Sequence, residues 1–175
     1  SEVADIVAPI GRPGARDLTV LATGPLALLT DGGRRGFAHL GVCASGAADR
    51  QAYELGQRLL EEYDGQAAIE VTLGGLTLRS EAVFTMVITG ADLQATLDGR
   101  GVGMNAPFFV FPGQTLTLGH PQHGLRTYVA VRGGFDTPRV LGSRSTDVLS
   151  GIGPRPHKAG DVLTVATATT LAFAG

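Results

Sequence analysis

Residues 67–79 read AAIEVTLGGLTLR, in which two short apolar runs flank the glycine pair Gly74-Gly75. Short apolar runs bounded by glycines are typical of β-strands joined by a hairpin turn. The same pattern continues on both sides of this stretch. Further strands are predicted at 18–20, 26–30, 83–89, 93–97, 108–111, 115–118, 126–131 and 162–165, with turns at Asp98-Gly99, Gly113 and Gly119.

One helix is predicted, at about residues 47–62. Its apolar stripe recurs at spacings of four, three and four residues: Ala48, Ala52, Leu55 and Leu59. Asp49 is expected in the first turn, where a carboxylate meets the positive helix end, and Ser45 or Gly46 could supply the cap. Asp64-Gly65 is expected to end the helix. Many short strands around one helix indicate a mainly β antiparallel barrel or sandwich.

The composition excludes several other classes of protein. The chain has 175 residues, of which 26 are glycine and 9 are proline, without the G-X-Y period of collagen. Because glycine costs about 1 kcal/mol in a helix interior, coiled coils and long bundles are excluded as well. Hydrophobic residues make up 43% and charged residues 17%, which predicts a folded core and not disorder.

Charge and cysteine content predict a cytoplasmic protein that binds neither nucleic acid nor membrane. Lys and Arg total 14 and Asp and Glu total 16, without any basic run to follow a phosphate backbone. The single cysteine, Cys43, cannot form an internal disulfide, and no apolar stretch approaches the roughly 20 residues of a membrane span. Residues 1–17 are predicted as a loose leader, and residues 18–175 as a single domain.

The first candidate site lies in residues 31–50, DGGRRGFAHLGVCASGAADR, where a glycine-rich loop leads into the predicted helix. Free N–H groups at a helix start, aided by an arginine such as Arg34, suit a carboxylate or a phosphate. The alternative is a structural loop in which Asp31 and Arg34 pair with each other.

The second candidate site lies in residues 132–147, RGGFDTPRVLGSRSTD. Two glycines after Arg132 would let the backbone approach a ligand closely, and the polar run at 143–147 offers many donors and acceptors. The alternative is a polar loop whose side chains bond to its own backbone.

Two further features receive separate interpretations. Glu70 interrupts an apolar strand, so it needs a partner such as Arg79 or marks a functional site. His120 and His123 lack a third ligand of recognisable spacing and are interpreted as a solvated turn, so no metal site is predicted.

These segments, in this order, resemble the allophanate hydrolase subunit 2 family, also called the biotin-dependent carboxyltransferase-like family. The family includes the C subunit of prokaryotic 5-oxoprolinase and the matching domain of urea carboxylase. The resemblance covers about residues 18–165 and is carried by residues 24–60, 68–79, 88–99, 130–147 and 158–163. Family members are longer and continue into a second, similar half, so this chain resembles the N-terminal half.

The resemblance implies a fold, a partner and an activity. The fold is a cyclophilin-like antiparallel β-barrel, and the partner is a sister subunit similar to allophanate hydrolase subunit 1. The implied activity is that of an ATP-dependent complex hydrolysing a small amide or lactam, foremost 5-oxoprolinase, which opens 5-oxoproline to glutamate. ATP would be used by the assembly, and biotin is not expected on this chain, which has no biotinyl-lysine context such as A-M-K-M.

On this interpretation Arg34 and Arg144 hold anionic groups, while Asp31, Asp49 or Asp147 orient them or exchange protons. Ligand-binding roles are assigned to Ser45, Gly46, Arg132, Gly133, Gly134, Ser143 and Ser145. Two alternatives stay open. One is a carboxyltransferase domain of the urea carboxylase type, and the other is a non-catalytic regulator that resembles antagonists of a sporulation-kinase inhibitor.

Overall fold

The computed structural model describes residues 16–31, 46–62, 65–135 and 156–166. These ranges contain one helix and a series of short strands, which confirms the mainly β class. The elements are β1 Asp17–Thr23, β2 Leu26–Thr30, α1 Arg50–Leu59, β3 Ala68–Thr72, β4 Leu76–Ser80, β5 Phe84–Gly90, β6 Ala95–Leu97, β7 Arg100–Val102, β8 Phe108–Val110, β9 Thr115–Leu118, β10 Arg126–Val131 and β11 Val162–Thr164. Within the same ranges no helix is long and apolar enough to cross a bilayer.

The strands form two antiparallel sheets. The six-stranded sheet has the order β11-β1-β4-β9-β6-β7, and the five-stranded sheet has the order β2-β3-β10-β5-β8. The main hydrophobic core joins them, with Leu78 and Leu116 of the first sheet in one buried cluster with Ile69, Val129 and Met86 of the second. Alternate residues of each strand supply this cluster, as the period of two in a β-strand requires.

Each sheet has two edge strands, so hydrogen bonding does not close either one into a barrel among the residues described. β7 and β11 are the edges of the larger sheet, and β2 and β8 those of the smaller. The antiparallel arrangement around one helix is therefore confirmed, while the closed cyclophilin-like barrel stays a prediction. Residues 1–15 of the predicted leader lie outside the described ranges.

The helix is shorter than the predicted 47–62. Asp49 has an extended backbone and accepts a hydrogen bond from the Ala52 N–H, so Asp49 itself is the N-cap and α1 begins at Arg50. The cap is thus neither Ser45 nor Gly46, and Asp49 precedes the first turn. The helix ends at Leu59, before Asp64-Gly65, because Glu61 adopts a left-handed backbone with φ of 58°.

The buried face of the helix also differs from the predicted stripe. Ala48 is exposed and Leu55 and Leu59 are half-buried, whereas Ala52 is buried as expected. The face in contact with the sheet consists of Ala52, Tyr53, Gly56, Gln57 and Leu60. The prediction from apolar periodicity missed this face because it includes Tyr53 and Gln57, whose polar side chains a hydropathy pattern does not count as core.

The helix packs on the face of the five-stranded sheet that points away from the main core. Ala68, Val87, Tyr128 and Ala130 form a second buried cluster with Ala52, Tyr53 and Leu60. The Thr89 hydroxyl donates to the Ala52 carbonyl at 2.7 Å, which ties the middle of the helix to β5. The five-stranded sheet is therefore covered on both faces, and its second face positions the helix start.

The chain passes from one sheet to the other at Gly74-Gly75, Gly113 and Gly119, so the hairpin turns predicted there are wrong. The turns at Gly24, Gly74 and Gly119 instead stack directly on one another. A Cβ added to Gly24 would overlap the Gly74 carbonyl oxygen, and one added to Gly74 would overlap the Gly119 carbonyl oxygen. By contrast, the predicted Asp98-Gly99 turn between β6 and β7 has positive φ at both residues, as a two-residue hairpin turn requires, but Gly99 faces open space.

We expect Gly74→Ala to destabilise the protein far more than Gly99→Ala. Both positions have positive φ, so each alanine incurs backbone strain of roughly 1 kcal/mol. Only Gly74→Ala adds a clash with backbone, which brings about 1–3 kcal/mol more. Urea unfolding of the two variants measures the difference, and equal losses of unfolding free energy would contradict the stacking of these turns.

Candidate functional site

Glu70 lies buried in the middle of the five-stranded sheet, on the face covered by the helix. The residue is 7% exposed, and the strand register places it directly opposite Tyr128 on β10. The Tyr128 hydroxyl donates to Glu70 Oε2 at 2.8 Å, and the Ala48 backbone N–H donates to the same oxygen at 2.9 Å. Arg126 Nε lies 3.6 Å from the other oxygen, Oε1. These donors compensate for the loss of water around a buried carboxylate.

The expected pairing of Glu70 with Arg79 is wrong. Arg79 belongs to β4 in the six-stranded sheet, and its Nε pairs with Glu81 at 2.9 Å. The two residues follow each other closely in the chain, but the Gly74-Gly75 turn carries the chain from one sheet into the other. The cation beside Glu70 comes instead from β10, which is the neighbour of β3.

Tyr128 links the buried carboxylate to the start of the helix. Its hydroxyl oxygen accepts a hydrogen bond from the Asp49 backbone N–H at 2.8 Å while its proton goes to Glu70. Burial raises the pKa of the Tyr128 phenol, and the negative charge of Glu70 acts in the same direction, against the opposing effect of the Asp49 N–H. The phenol therefore stays neutral at physiological pH and acts as both donor and acceptor.

The loop-to-helix junction, residues 46–49, is held by hydrogen bonds that three successive backbone N–H groups donate. The Ala47 N–H donates to the Asp31 carbonyl at 3.3 Å, the Ala48 N–H to Glu70 and the Asp49 N–H to Tyr128. The Ala52 N–H is also bound, to the Asp49 side chain at 3.1 Å. These N–H groups are not free to bind an anion, contrary to the expectation for this segment. The structure nevertheless places Asp31 and Asp49 at the same junction: the Asp31 carbonyl binds its Ala47 N–H, and Asp49 is its last residue.

Two open grooves meet at Asp49. One, of about 440 Å³, lies between the junction and β10 and is lined by Asp49, Gly90 and Arg126. The other, of about 620 Å³, follows the helix and shares Asp49 and Gly90 with the first. Asp49 and Arg126 bring a carboxylate and a guanidinium to the lining of the smaller groove, and these groups are complementary to a donor and an anionic group of a small polar molecule.

The second predicted segment is described only at its beginning. The Gly133 N–H donates to Glu62 Oε1 at 2.6 Å, and the Gly134 carbonyl accepts from the Ala166 N–H at 2.8 Å. The side chain of Arg132 is exposed. Gly133 and Gly134 do allow a close approach to the backbone, as predicted. In this part of the chain, the groups that approach are the protein's own Glu62, Gln66 and Ala166.

The described parts of the two predicted segments lie at opposite ends of the helix. Asp49, at its start, contacts Tyr128, whereas Glu62, just beyond its end, contacts Gly133. A helix of this length spans about 15 Å, so Asp49 and Arg132 are not brought together. The remaining predicted residues lie outside the described ranges and stay predictions: Arg34, Ser45, Ser143, Arg144, Ser145 and Asp147.

Tyr128 and Arg126 belong to this site but were not among the predicted residues. Both lie in a strand that reads as ordinary core, and no local pattern in RTYVAV marks the tyrosine as a partner of Glu70. The one available signal was Glu70 itself, because a carboxylate in an apolar strand requires donors from a neighbouring strand. His120, by contrast, lies at the surface, with Nδ1 at 2.9 Å from the Leu73 carbonyl oxygen.

Residues 40–174 match the family described as carboxyltransferase domain, subdomain A and B, and the chain belongs to this family. The sequence is 40% identical over 136 residues to the C subunit of 5-oxoprolinase from Escherichia coli, a match covering 78% of this chain and 44% of that protein. It is 38% identical over 134 residues to the urea amidolyase of Saccharomyces cerevisiae, covering 75% of this chain and 7% of that one. The resemblance inferred from the sequence is thereby confirmed.

A solved structure shows the same fold. The crystal structure of the K. lactis urea amidolyase superposes with a TM-score of 0.85 at 32% identity, covering 89% of this chain and 10% of that one. In its match to the E. coli 5-oxoprolinase component, the chain spans less than half of that protein's length.

We expect Asp49→Ala to lower the free energy of unfolding by about 1 kcal/mol, because it removes the helix cap. Asp49→Asn keeps a side-chain oxygen that can accept from the Ala52 N–H, so it should retain most of the stability. Urea unfolding of both variants provides the measurement. A loss for Asp49→Asn as large as that for Asp49→Ala would contradict the cap.

We expect Tyr128 to remain protonated when exposed tyrosines ionise near pH 10. Because the pKa is higher in the folded than in the unfolded protein, this group's stabilisation is complete below about pH 10 and is lost as the pH rises further. The chain has 3 tyrosines, so absorbance at the phenolate band can be titrated in wild type and Tyr128→Phe. The change in phenolate absorbance near pH 10 should be equal in the two proteins, because Tyr128 does not ionise there. A smaller change in Tyr128→Phe would contradict the raised pKa.

Proposed function

We propose that this chain is part of an ATP-dependent enzyme of the 5-oxoprolinase type, which hydrolyses the lactam of 5-oxoproline to give glutamate. The observation that carries the proposal is the 40% identity to the E. coli 5-oxoprolinase component across 78% of the chain. In the assembly, the enzyme is completed by a sister subunit similar to allophanate hydrolase subunit 1. A cytoplasmic location and the closed cyclophilin-like barrel belong to the same proposal.

The groove beside Asp49 suits a ligand of this kind. 5-Oxoproline carries a carboxylate and a lactam with one N–H and one C=O. The Arg126 guanidinium and the Asp49 carboxylate line the same groove, so the first matches an anionic group and the second an N–H donor. Arg34 and Arg144 are proposed to hold further anionic groups, with Asp31 or Asp147 in orienting or proton-exchanging roles.

In the proposed reaction, the lactam C–N bond breaks, the oxygen of water becomes bonded to the carbonyl carbon, and the nitrogen receives a proton. Negative charge grows on the carbonyl oxygen as water adds. Arginines and fixed N–H donors stabilise such charge without having to titrate. An aspartate with an accessible oxygen, as Asp49 has at the groove, can accept a proton from the attacking water.

The described residues just before the helix do not fit the phosphates of ATP. The N–H groups of residues 47–49 are already bound by the Asp31 carbonyl, Glu70 and Tyr128. We therefore assign ATP to the assembly and derive no step through it on these residues. Biotin is likewise not proposed on this chain.

The proposal predicts glutamate release when the chain is co-purified with its sister subunits and supplied with 5-oxoproline and ATP. Arg144→Ala should lower turnover by about 10²-fold, the effect of removing one donor to a developing oxyanion. Arg79→Ala is the control, because Arg79 lies half-exposed on the other sheet and pairs only with Glu81 among the contacts described. Unchanged turnover in Arg144→Ala would exclude that role for the residue.

A carboxyltransferase domain is the second candidate, favoured by the family match and by the 38% identity to urea amidolyase. It would transfer a carboxyl group from carboxybiotin on a separate carrier to urea. Supplying the assembly with a biotinylated carrier and urea distinguishes it from lactam hydrolysis. If neither substrate is consumed and partner binding persists, the regulatory alternative is favoured.

A further inference from the structure

We propose that Glu70 and Tyr128 are positioning residues that fix the loop-to-helix junction and thereby set the turnover of the enzyme. The inference rests on the proposed function, because it assigns these residues to the same groove. It goes beyond that function because it names two buried side chains as determinants of rate, although neither of them lines the two grooves at Asp49.

The helix does not require Glu70 in order to pack. Its contacts with the sheet come from apolar groups such as Ala52 and Leu60 against Val87 and Ala130, and its first turn is capped by Asp49. An apolar residue at position 70 would continue the strand AIEVT without any desolvation cost. A buried ion pair often adds little to stability relative to apolar residues of similar volume. Stability is therefore a weak reason for this carboxylate.

The hydrogen bonds of Glu70 go instead to the junction. One carboxylate oxygen accepts from the Ala48 N–H and from the Tyr128 hydroxyl, and that hydroxyl accepts from the Asp49 N–H. Two consecutive peptide units are thus bound to one buried oxygen, directly or through a phenol. Since a peptide unit is planar, holding two in succession fixes both the place and the direction of the chain entering the helix.

The junction in turn determines where Asp49 presents its carboxylate. Asp49 lines both grooves, and Arg126, which also lines the smaller one, lies beside the second oxygen of Glu70. The same buried carboxylate therefore sets the spacing of the two charged groups that face the ligand. A misplacement of about 1 Å in such a site can lower the rate by about 10²-fold.

Tyr128→Phe and Tyr53→Phe form a matched pair for the test. Both tyrosines lie in the cluster between helix and sheet, with their rings edge to face at 6.5 Å, and each variant removes one hydroxyl. The Tyr53 hydroxyl donates to the Gln66 carbonyl at 2.9 Å, and the hydrogen bonds described for the Ala48 and Asp49 N–H groups go to other side chains. General loosening of the cluster should therefore affect both variants equally.

In the complete assembly, we expect Tyr128→Phe to lower kcat for 5-oxoproline by about tenfold or more. Tyr53→Phe should keep the wild-type value, and thermal unfolding should show that both variants are folded at the assay temperature. Glu70→Gln retains one acceptor oxygen and should restore part of the rate lost in Glu70→Leu. Equal kcat values in the two tyrosine variants, or wild-type kcat in Glu70→Leu, would overturn the inference.

A second measurement separates this inference from the proposed function. If the wild-type assembly does not hydrolyse 5-oxoproline, the proposed function fails, and amide hydrogen exchange decides the positioning role. Exchange at Ala48 and Asp49 should be about tenfold or more faster in Tyr128→Phe and unchanged in Tyr53→Phe. Unchanged exchange in Tyr128→Phe would overturn the inference regardless of activity.

Discussion

The entry of the chain into the helix, and the grooves beside it, depend on one buried carboxylate. Glu70 lies in the middle of a sheet where apolar residues would suffice, and its charge must be met by donors within the protein. β10 supplies Tyr128 and Arg126, and the chain before the helix supplies a backbone N–H. Helix entry and groove position therefore depend on the same electrostatic requirement, since a shift of either would remove a donor from that charge.

The two faces of the five-stranded sheet pack against different parts of the protein. One face, with residues such as Ile69 and Val129, completes the apolar core shared with the other sheet. The opposite face holds the helix through a smaller cluster that includes the edge-to-face pair of Tyr53 and Tyr128. Because the strand period assigns alternate residues to each face, the polar network could be placed beside the helix without interrupting the core.

Apart from β7, which was not predicted, the strands were predictable from local alternation and glycine turns, as was the existence of the helix from its periodicity. The family was predictable from the ordered series of segments. The register that pairs Glu70 with Tyr128 was not, since the residues are 58 positions apart and no local period links them. Arg79 was the expected partner because closeness along the chain was the available guide. The helix start was also misplaced, because Asp49 satisfies both a first-turn and a cap pattern until its backbone angles are known.

The stacked turns at Gly24, Gly74 and Gly119 divide the surface loops into two kinds for protein engineering. Inserting an epitope or a fluorophore-bearing peptide at Gly74 would separate three turns that fit only backbone against backbone. The hairpin at Asp98-Gly99 faces open space and connects two strands at the margin of the six-stranded sheet, so it can accept such an insertion. A reporter group therefore belongs at this hairpin, whose two turn residues do not line the grooves at Asp49.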